Sequence, residues 1–289
     1  MIVCQLASSL FNISKKIARI RTKDFLEGKW RKLYNKSNIP IDVIISPEIE
    51  VAKSLYRRLE APGALDNVPF ADDKVKMLEI AIEKNCPVIN SSLKNLTQKF
   101  PDFRANIVGA LREEKFIFLK KDDKLLEGDN IYVVVSSDQL NQILKAFGHD
   151  EKVAKKFLII GGGNIGLALA KMLETNIDGA RIKIIEKNKQ RAEEIASELS
   201  SSIVINGDAL DEDILKEANL EESETVLALT NDDENNIMAC VLSEKLGPNK
   251  RTIAIVNKSN YSLLQSSLKI DDLVDPRMTT VSRIMEHVH

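Results

Sequence analysis

Three glycines at a fixed spacing follow a short apolar stretch in the second half of the chain. Residues 157–160 read as a buried strand, Gly161, Gly163 and Gly166 come directly after it, and an apolar helix follows. In this G-x-G-x-x-G spacing the first glycine permits a tight turn, the second lets the backbone come close to a pyrophosphate, and the third lets the helix pack against the strand. The N-terminus of the helix then offers free N–H groups to phosphate oxygens. The motif therefore predicts a binding site for a dinucleotide.

A carboxylate stands where a ribose-binding group is expected. Glu186 lies at the end of a second predicted strand, residues 181–185, and twenty residues beyond Gly166. A carboxylate there accepts hydrogen bonds from ribose hydroxyls and repels a 2′-phosphate, so it favours NAD over NADP. It does not exclude ADP or ATP, which carry the same ribose. The alternative is a glycine turn in an α/β unit that binds nothing, but the strand, glycines, helix and acid together favour a nucleotide site.

Three further candidate ligand residues follow the next two predicted strands. Asp208 comes after the third strand, and Thr230 and Asn231 come after the fourth. Parallel sheets of this kind bind ligands at the carboxyl ends of their strands. Asp208 is therefore a candidate to accept a hydrogen bond from an adenine amine, and the alternative is an ordinary turn residue. For the run 231–236, helix capping and interaction with the helix dipole are favoured over metal binding.

Composition narrows the class of protein. The 289 residues suffice for about two domains, and the net charge of −2 with 5% aromatic residues gives no reason to expect nucleic-acid binding. The three cysteines are far apart and have no metal-ligand spacing, so they read as reduced, buried thiols in a cytosol. The longest uncharged apolar run, residues 157–170, is shorter than the roughly 20 residues that a membrane-spanning helix needs. Residues 1–13 lack the basic region of a signal peptide.

The two ends of the chain resemble each other. Shifted by 236 positions, residues 1–25 align on residues 237–261 without a gap, and shifted by 229 positions, residues 41–47 align on residues 270–276. The matched pairs include Cys4 with Cys240, Phe25 with Tyr261, Asp42 with Asp271 and Pro47 with Pro276. We predict a duplicated unit with one change of length, and the alternative is a chance likeness of amphipathic helices. The first copy has no glycine loop and begins at the helix after the fourth strand of such a fold, so we expect the chain to begin inside a domain.

The rest of the chain divides by its pattern. Residues 47–60 read as an amphipathic helix, residues 65–147 as short strands and turns typical of a small α+β domain, and residues 148–156 as a polar linker. From residue 157 onwards strands and helices alternate, which predicts parallel strands joined by right-handed crossovers. The fold class is therefore α/β, with a Rossmann-like doubly wound parallel sheet, a small α+β subdomain and a partial first Rossmann module.

Seven motifs together carry a resemblance to a known family. They are IARIR at 17–21, ISPE at 45–48, EGDNIYVVV at 127–135, GGGNIG at 161–166, IIEKN at 184–188, INGDA at 205–209 and LTNDDENNIMAC at 229–240. In these motifs the chain resembles the TrkA family, the NAD-binding regulators of bacterial Trk potassium uptake systems, which are built from tandem RCK (KTN) modules. The resemblance covers essentially the whole chain.

The resemblance implies three parts and a set of cofactor contacts. Residues 1–60 correspond to the C-terminal part of a first RCK nucleotide module, residues 61–150 to an RCK C-type (TrkA-C) subdomain, and residues 151–289 to a second, RCK N-type nucleotide-binding module. The implied cofactor-binding residues are Gly161, Gly162, Gly163, Asn164, Ile165, Gly166, Glu186, Asp208, Thr230, Asn231 and, from the first module, Arg19.

The resemblance also implies a function. It points to a cytoplasmic regulatory subunit that is not an enzyme and lies on the inner face of the plasma membrane. Such a subunit binds NAD or NADH, with ATP and ADP as alternatives, and gates a Trk-type potassium-translocating membrane subunit as a homo-oligomer, either a dimer or a tetrameric ring. The rival hypothesis is an NAD-dependent dehydrogenase, which usually needs a proton-transfer group; the three histidines, His149, His287 and His289, lie in the linker and at the terminus, although a lysine or an aspartate could serve instead. A third alternative is a fragment that folds and regulates nothing.

Overall fold

The computed structural model forms two compact units, which are Met1–Ser54 with Ala154–His289, and Leu55–Val153. The residues it describes are 1–11, 13–21, 32–35, 38–71, 73–102, 104–113, 115–247 and 250–288. Phe25 and His289, which entered the sequence analysis, lie outside the described residues.

The first part of the chain contributes two helices and two short strands. In chain order they are α1 (Ile2–Leu10), β1 (Ile17–Arg19), β2 (Val43–Ile45) and α2 (Pro47–Glu60). The two strands pair in parallel, and Ala18, Ile20 and Ile41 form a small buried cluster beside them. Helix α2 begins at a proline, which suits the first helical position because the N–H that proline lacks has no partner there in any case.

The unit Leu55–Val153 is the predicted small α+β fold. Its elements are β3 (Asp66–Phe70), β4 (Val75–Ala81), α3 (Leu93–Lys99), β5 (Ala105–Arg112), β6 (Lys115–Ile117), β7 (Asn130–Ser136) and α4 (Leu140–Ala146). The strands form an antiparallel sheet in the order β3-β4-β7-β5-β6. Every second residue of β4 and β7 is buried, because alternate side chains of a strand point to opposite faces and one face packs on the core.

The remaining residues build the predicted doubly wound sheet. Its elements are β8 (Lys156–Ile160), α5 (Asn164–Asn176), β9 (Arg181–Glu186), α6 (Lys189–Glu198), β10 (Ile203–Asn206), α7 (Glu212–Glu217), β11 (Thr225–Ala228), α8 (Asp233–Leu246), β12 (Arg251–Ile255), α9 (Gln265–Leu268), β13 (Asp272–Val274) and α10 (Pro276–Met285). All six strands are parallel, in the order β10-β9-β8-β11-β12-β13. The order reverses between β8 and β11, and sheets of this type bind ligands outside such a reversal.

One segment differs from the sequence-based expectation of a helix over residues 259–268. The structure has a tighter 3₁₀ helix over Ser259–Leu264, followed by the short helix α9. The carboxylate of Glu234 on α8 accepts hydrogen bonds from the Tyr261 hydroxyl and the Lys258 ammonium. These bonds tie the start of the segment to α8, and this competition from tertiary contacts is not visible in the sequence pattern.

The predicted duplication is confirmed by the register of two strand pairs. In β1 and β2, Ile17 lies opposite Val43. In β12 and β13, Ile253 lies opposite Asp272. These four positions correspond under the shifts of 236 and 229 that align the two copies. The two copies therefore pair their strands in the same register.

One side-chain hydrogen bond is repeated as well. The backbone N–H of Lys16 donates to the Asp42 carboxylate over 2.7 Å. The backbone N–H of Thr252 donates to the Asp271 carboxylate, also over 2.7 Å. Both bonds join equivalent positions of the two copies, so the likeness extends beyond helix pattern and favours a duplication over a chance match of amphipathic helices.

Candidate functional site

The three motif glycines have three different environments. Gly161 has a φ of +104°, a left-handed conformation that favours glycine. A Cβ at Gly166 would lie 2.1 Å from the carbonyl oxygen of Gly161, so only glycine permits the helix to approach the strand end so closely. A Cβ at Gly163 would meet nothing within 4 Å. The loop therefore packs tightly against the protein at Gly166, whereas it has open space next to Gly163.

The open side of the loop faces the first turn of α5. This helix begins at Asn164 and runs for 13 residues, and its N-cap residue Gly163 makes no side-chain capping bond. The first N–H groups of a helix have no partner within the helix, and the helix dipole makes this end positive. A phosphate group in front of Gly163 would meet both features.

Glu186 holds the glycine loop in position. Its Oε2 accepts a hydrogen bond from the Gly162 N–H over 2.8 Å, and its Oε1 accepts one from the Asn188 N–H over 2.8 Å. An ionised carboxylate has about four acceptor positions, so capacity for ribose hydroxyls remains. The sequence predicted a ribose-binding acid, but it gave no sign that the same carboxylate also shapes the loop.

Arg191 is a site residue that the sequence reasoning missed. Its Nε donates to the carbonyl oxygen of Gly162 over 2.9 Å, and its Nη2 lies 3.5 Å from Oδ1 of Asn164. A guanidinium beside the first turn of α5 adds positive charge where phosphates would bind. The available signal was a basic residue in the first turn of the helix that follows Glu186.

Asn236 joins the carboxyl ends of β11 and β12. It is fully buried, and its Oδ1 accepts hydrogen bonds from the N–H and the hydroxyl of Thr230 over 2.9 and 2.6 Å. Its Nδ2 donates to the carbonyl oxygens of Thr230 and Ile255 over 3.0 and 2.9 Å. One amide therefore uses all its donors and acceptors to join the ends of two neighbouring strands.

At the start of α8, Asp232 confirms the capping interpretation, and Asp233 has a different structural role. Asp232 is the N-cap, and its side chain accepts from the Asn235 N–H over 2.8 Å. Asp233 is nearly buried and accepts hydrogen bonds from the N–H groups of Asn257 and Lys258 and from the Asn257 side chain. Asp233 thus positions the loop after β12. No cluster of metal-ligating side chains was found in the part of the chain that the structure describes.

Asp208 has the turn role that the sequence allowed and also pairs with a lysine. Its Oδ1 accepts from the Leu210 N–H over 3.0 Å, as in a turn, and its Oδ2 accepts from the Lys187 ammonium over 2.7 Å. The hydrogen bond from Lys187 holds the pKa of Asp208 below its usual value. Asp208 is therefore an ionised acceptor that lines the same cavity as Glu186.

Two neighbouring cavities bring the predicted ligand residues together. The smaller has a volume of about 270 Å³ and is lined by Gly161, Gly163, Glu186, Asp208, Thr230 and Asn231, among others. The larger has a volume of about 1290 Å³ and is lined by Arg19, Gly163, Asn164, Ile165, Thr230 and Asn231, among others. Gly162 and Gly166 line neither cavity and support the loop from behind. The cavities share the open side of the glycine loop.

Within the described ranges, no helix combines the length and the apolar character that crossing a bilayer requires.

Comparison with known proteins gives two family matches and several relatives. The TrkA-N domain matches residues 157–276, and the TrkA-C domain matches residues 77–148. The chain is 45% identical to the Trk system potassium uptake protein TrkA of Azorhizobium caulinodans, over 100% of the chain and 63% of that relative. It is 33% identical to the protein of the same name from Vibrio alginolyticus, over 100% of the chain and 62% of that relative. The chain therefore spans less than two thirds of the length of these relatives.

Solved structures support the fold. The crystal structure of the GsuK RCK domain superposes with a TM-score of 0.64 at 18% identity, over 96% of this chain and 57% of the other. The GsuK channel bound to NAD gives a TM-score of 0.67 at 17% identity, over 99% of this chain and 48% of the other. At such identities the likeness concerns the fold alone. The sequence matches, which extend over the whole chain, carry the assignment: this chain belongs to the TrkA family.

Proposed function

We propose that the chain acts as a nucleotide sensor in the regulation of a Trk-type potassium uptake system. Its relatives are named as Trk system potassium uptake proteins. The observation that carries the proposal is the glycine loop, which is open at Gly163, faces an uncapped helix N-terminus and is held by Glu186. These residues supply the groups that a dinucleotide needs, namely phosphate donors and a ribose acceptor.

The proposed ligand is NAD or NADH, with ATP and ADP as alternatives. The smaller cavity would take the adenosine between Glu186 and Asp208, and the N–H groups of α5 would take the pyrophosphate. Arg191 and Arg19 add positive charge at the cavity walls. A related fold is known with NAD bound, in the GsuK channel, and with ADP bound, in GsuK.

Binding without chemistry fits the site better than hydride transfer. The named relatives are potassium uptake proteins and not dehydrogenases. Among the described residues, neither His149 nor His287 lines either cavity. A dehydrogenase usually needs a proton-transfer group within reach of its substrate.

Regulation requires that the ligand binds two arrangements of the protein unequally. We propose that this difference biases a potassium-translocating membrane subunit, and that the chain acts at the cytoplasmic face of the membrane through that partner. The proposed assembly is a homo-oligomer, either a dimer or a tetrameric ring. The division into residues 1–60, 61–150 and 151–289 belongs to the same proposal.

Gly163→Ala tests the ligand site with little risk to the fold. Gly163 has φ −65° and ψ −172°, which alanine adopts readily, and the added methyl group meets no protein atom. We expect an unchanged melting temperature and a loss of NAD affinity of at least about tenfold in calorimetry, because the methyl group occupies the space that the pyrophosphate needs. Unchanged affinity would contradict the proposal.

A turnover assay and an uptake assay complete the test. Wild-type protein should bind NAD saturably and reduce none of it in the presence of small hydroxy acids or amino acids. In cells that depend on Trk uptake, Gly163→Ala should alter potassium uptake. NAD turnover would favour the dehydrogenase instead.

A further inference from the structure

The larger cavity lies between equivalent positions of the two repeat copies. Its lining includes the equivalent pairs Arg19 and Ile255, Pro47 and Pro276, and Glu48 and Arg277. Equivalent residues of both copies therefore line a single cavity. The cavity is therefore an interface between the copies as well as a continuation of the glycine loop.

The two walls are chemically unequal. On the second-copy side the open glycine loop contributes Gly163 and Asn164. On the first-copy side the described residues contribute Arg19, Arg21 and Glu48, where the equivalent positions of the second copy hold Ile255, Asn257 and Arg277. A ligand that extends from the loop into this cavity therefore meets a glutamate that has no acidic equivalent in the second copy.

Glu48 lies on the first-copy side of the larger cavity, and one of its two carboxylate oxygens lacks a hydrogen-bond donor among the described residues. It is the second residue of α2. Its Oε2 is buried, and no described group donates a hydrogen bond to it. Its Oε1 lies 3.6 Å from Nε of Arg21, whose side chain is largely exposed. A buried acceptor without a donor costs free energy, so a donor supplied by a ligand would be favourable there.

The neighbouring acid Glu50 shows that a place in the first turn of α2 does not explain why Glu48 lacks a hydrogen-bond donor. Both residues lie in the first turn of α2, where acids interact favourably with the helix dipole. Glu50 has partners for its charge, since Lys53 lies at 3.1 Å and Arg283 at 3.6 Å. Glu50 does not line the cavity. It is therefore a matched control for the helix-dipole role.

We propose that Glu48 is a specificity-determining residue that accepts a hydrogen bond from the distal nucleoside of a bound dinucleotide. The inference rests on the proposed function. Both cavities share Gly163, Thr230 and Asn231, so a ligand with its adenosine in the smaller cavity continues past the loop into the larger one. The donor is a hydroxyl of the distal ribose or the carboxamide of the distal base. A mononucleotide has neither group and leaves Glu48 without its donor.

Calorimetry on Glu48→Ala and Glu50→Ala tests this proposal with NAD, ADP-ribose and AMP as probes. Glu48→Ala should weaken NAD binding about tenfold, the size of one hydrogen bond to a charged group, and change AMP binding less than about twofold. Glu50→Ala should leave the ratio of the two affinities unchanged. Equal weakening of ADP-ribose and NAD identifies the ribose hydroxyl as the donor, and weakening of NAD alone identifies the carboxamide.

Two results overturn the inference. They are an unchanged NAD-to-AMP affinity ratio in Glu48→Ala, whether or not both affinities fall, and the same change of ratio in Glu50→Ala. If either occurs while the wild type binds both ligands, the proposed function stands and the role of Glu48 falls. If the wild type binds neither ligand, both fall. Glu48→Gln, which keeps the side-chain volume and one acceptor, should show a smaller loss and guards against misfolding of the alanine variant.

Discussion

The two copies of the repeat have similar sequences and unequal burial. Helix α8 buries Ala239 and Cys240 against the sheet. At the equivalent positions of α1, Val3 is 76% exposed and Cys4 is partly exposed. The second copy packs its helix on a six-stranded sheet, whereas the described residues of the first copy supply two strands. The hydrophobic pattern therefore places a helix, but the strands available to it decide how much of that pattern is buried.

What the copies share is also informative. The strand pairing and the hydrogen bond from a backbone N–H to an aspartate are the same in both. The residues that face the larger cavity differ, as Glu48 and Arg277 illustrate. Backbone pairing constrains a sequence strongly, because a slip of one residue reverses the faces of a strand. The side chains toward the cavity carry no such constraint, so the copies can differ there, as Glu48 and Arg277 do, without a change of strand register.

The largest expected effect comes from Gly166→Ala, which tests whether ligand binding is confined to the second copy. The new methyl group would lie 2.1 Å from the carbonyl oxygen of Gly161, so the helix or the loop must shift. We expect a loss of stability of about 1–3 kcal/mol, as for other overpacked sites, and no measurable NAD binding in calorimetry. NAD binding at wild-type affinity would mean that the second-copy loop is not the site.

Paired substitutions at the repeated aspartate compare the two scaffolds directly. Asp271→Ala leaves the N–H of Thr252 without a partner in a fully buried position, which costs about 1–3 kcal/mol. Asp42→Ala exposes the N–H of Lys16, which is partly accessible to water, so we expect less than about 1 kcal/mol. Urea unfolding of both variants measures the difference. Equal losses would contradict the unequal burial of the copies.

An acid-sensitive contact distinguishes the nucleotide module of the second copy. The Glu174 carboxylate accepts hydrogen bonds from the N–H groups of Ser200, Ser201 and Ser202 and from the Ser202 hydroxyl. Burial alone would raise the pKa of Glu174, but these bonds, led by the Ser202 hydroxyl, lower it from 4.5 to about 2. A lowered folded-state pKa contributes stability above the unfolded value, and this contribution is lost as the pH falls.

We therefore expect wild type to be more stable than Glu174→Gln near neutral pH. The difference should shrink between about pH 4.5 and pH 2, the two values that bound the shift. Thermal unfolding of both proteins across this range measures it. A difference that stays constant with pH would mean that the charge of Glu174 does not matter.

Thiol labelling gives the smallest perturbation, because it leaves the chain unmutated. Burial raises the pKa of Cys240 to about 12 and also raises that of Cys86, and both thiols are buried. Cys4 is partly exposed. A thiol reagent should modify Cys4 first in the native protein and all three after unfolding, since the thiolate is the reactive form. Mass spectrometry of the labelled peptides identifies the order, and early labelling of Cys240 would contradict the packing of α8.

Much of the fold was predictable from local pattern. The strand, glycine loop, helix and acid over residues 157–186 were found because each has a spacing fixed by backbone geometry. The repeat was found from ungapped matches, and its strand register followed. The 3₁₀ turn after β12 was not predictable, because it depends on contacts with α8 that lie more than twenty residues away in sequence.

The positions of the site's glycines were predictable from the sequence, but the contacts of its side chains were less so. Glu186 was found by spacing, but its bond to Gly162 depends on the loop folding back over β9. Arg191 was missed because a basic residue on an exposed helix has many ordinary explanations. Asn236 read as one more helix-start residue, and its burial between two strand ends arises only when the sheet is assembled.

The hydrogen bonds of Asn236 have a mechanical consequence. Because a single buried amide joins Thr230 to Ile255, we expect the ends of β11 and β12 to move together. We therefore expect a rearrangement that distinguishes one bound nucleotide from another to involve the first-copy residues of the larger cavity, such as Arg19 and Glu48. Hydrogen exchange should accordingly slow at β1 and the start of α2 when ligand is added, while the amide protons around Thr230 keep their protection.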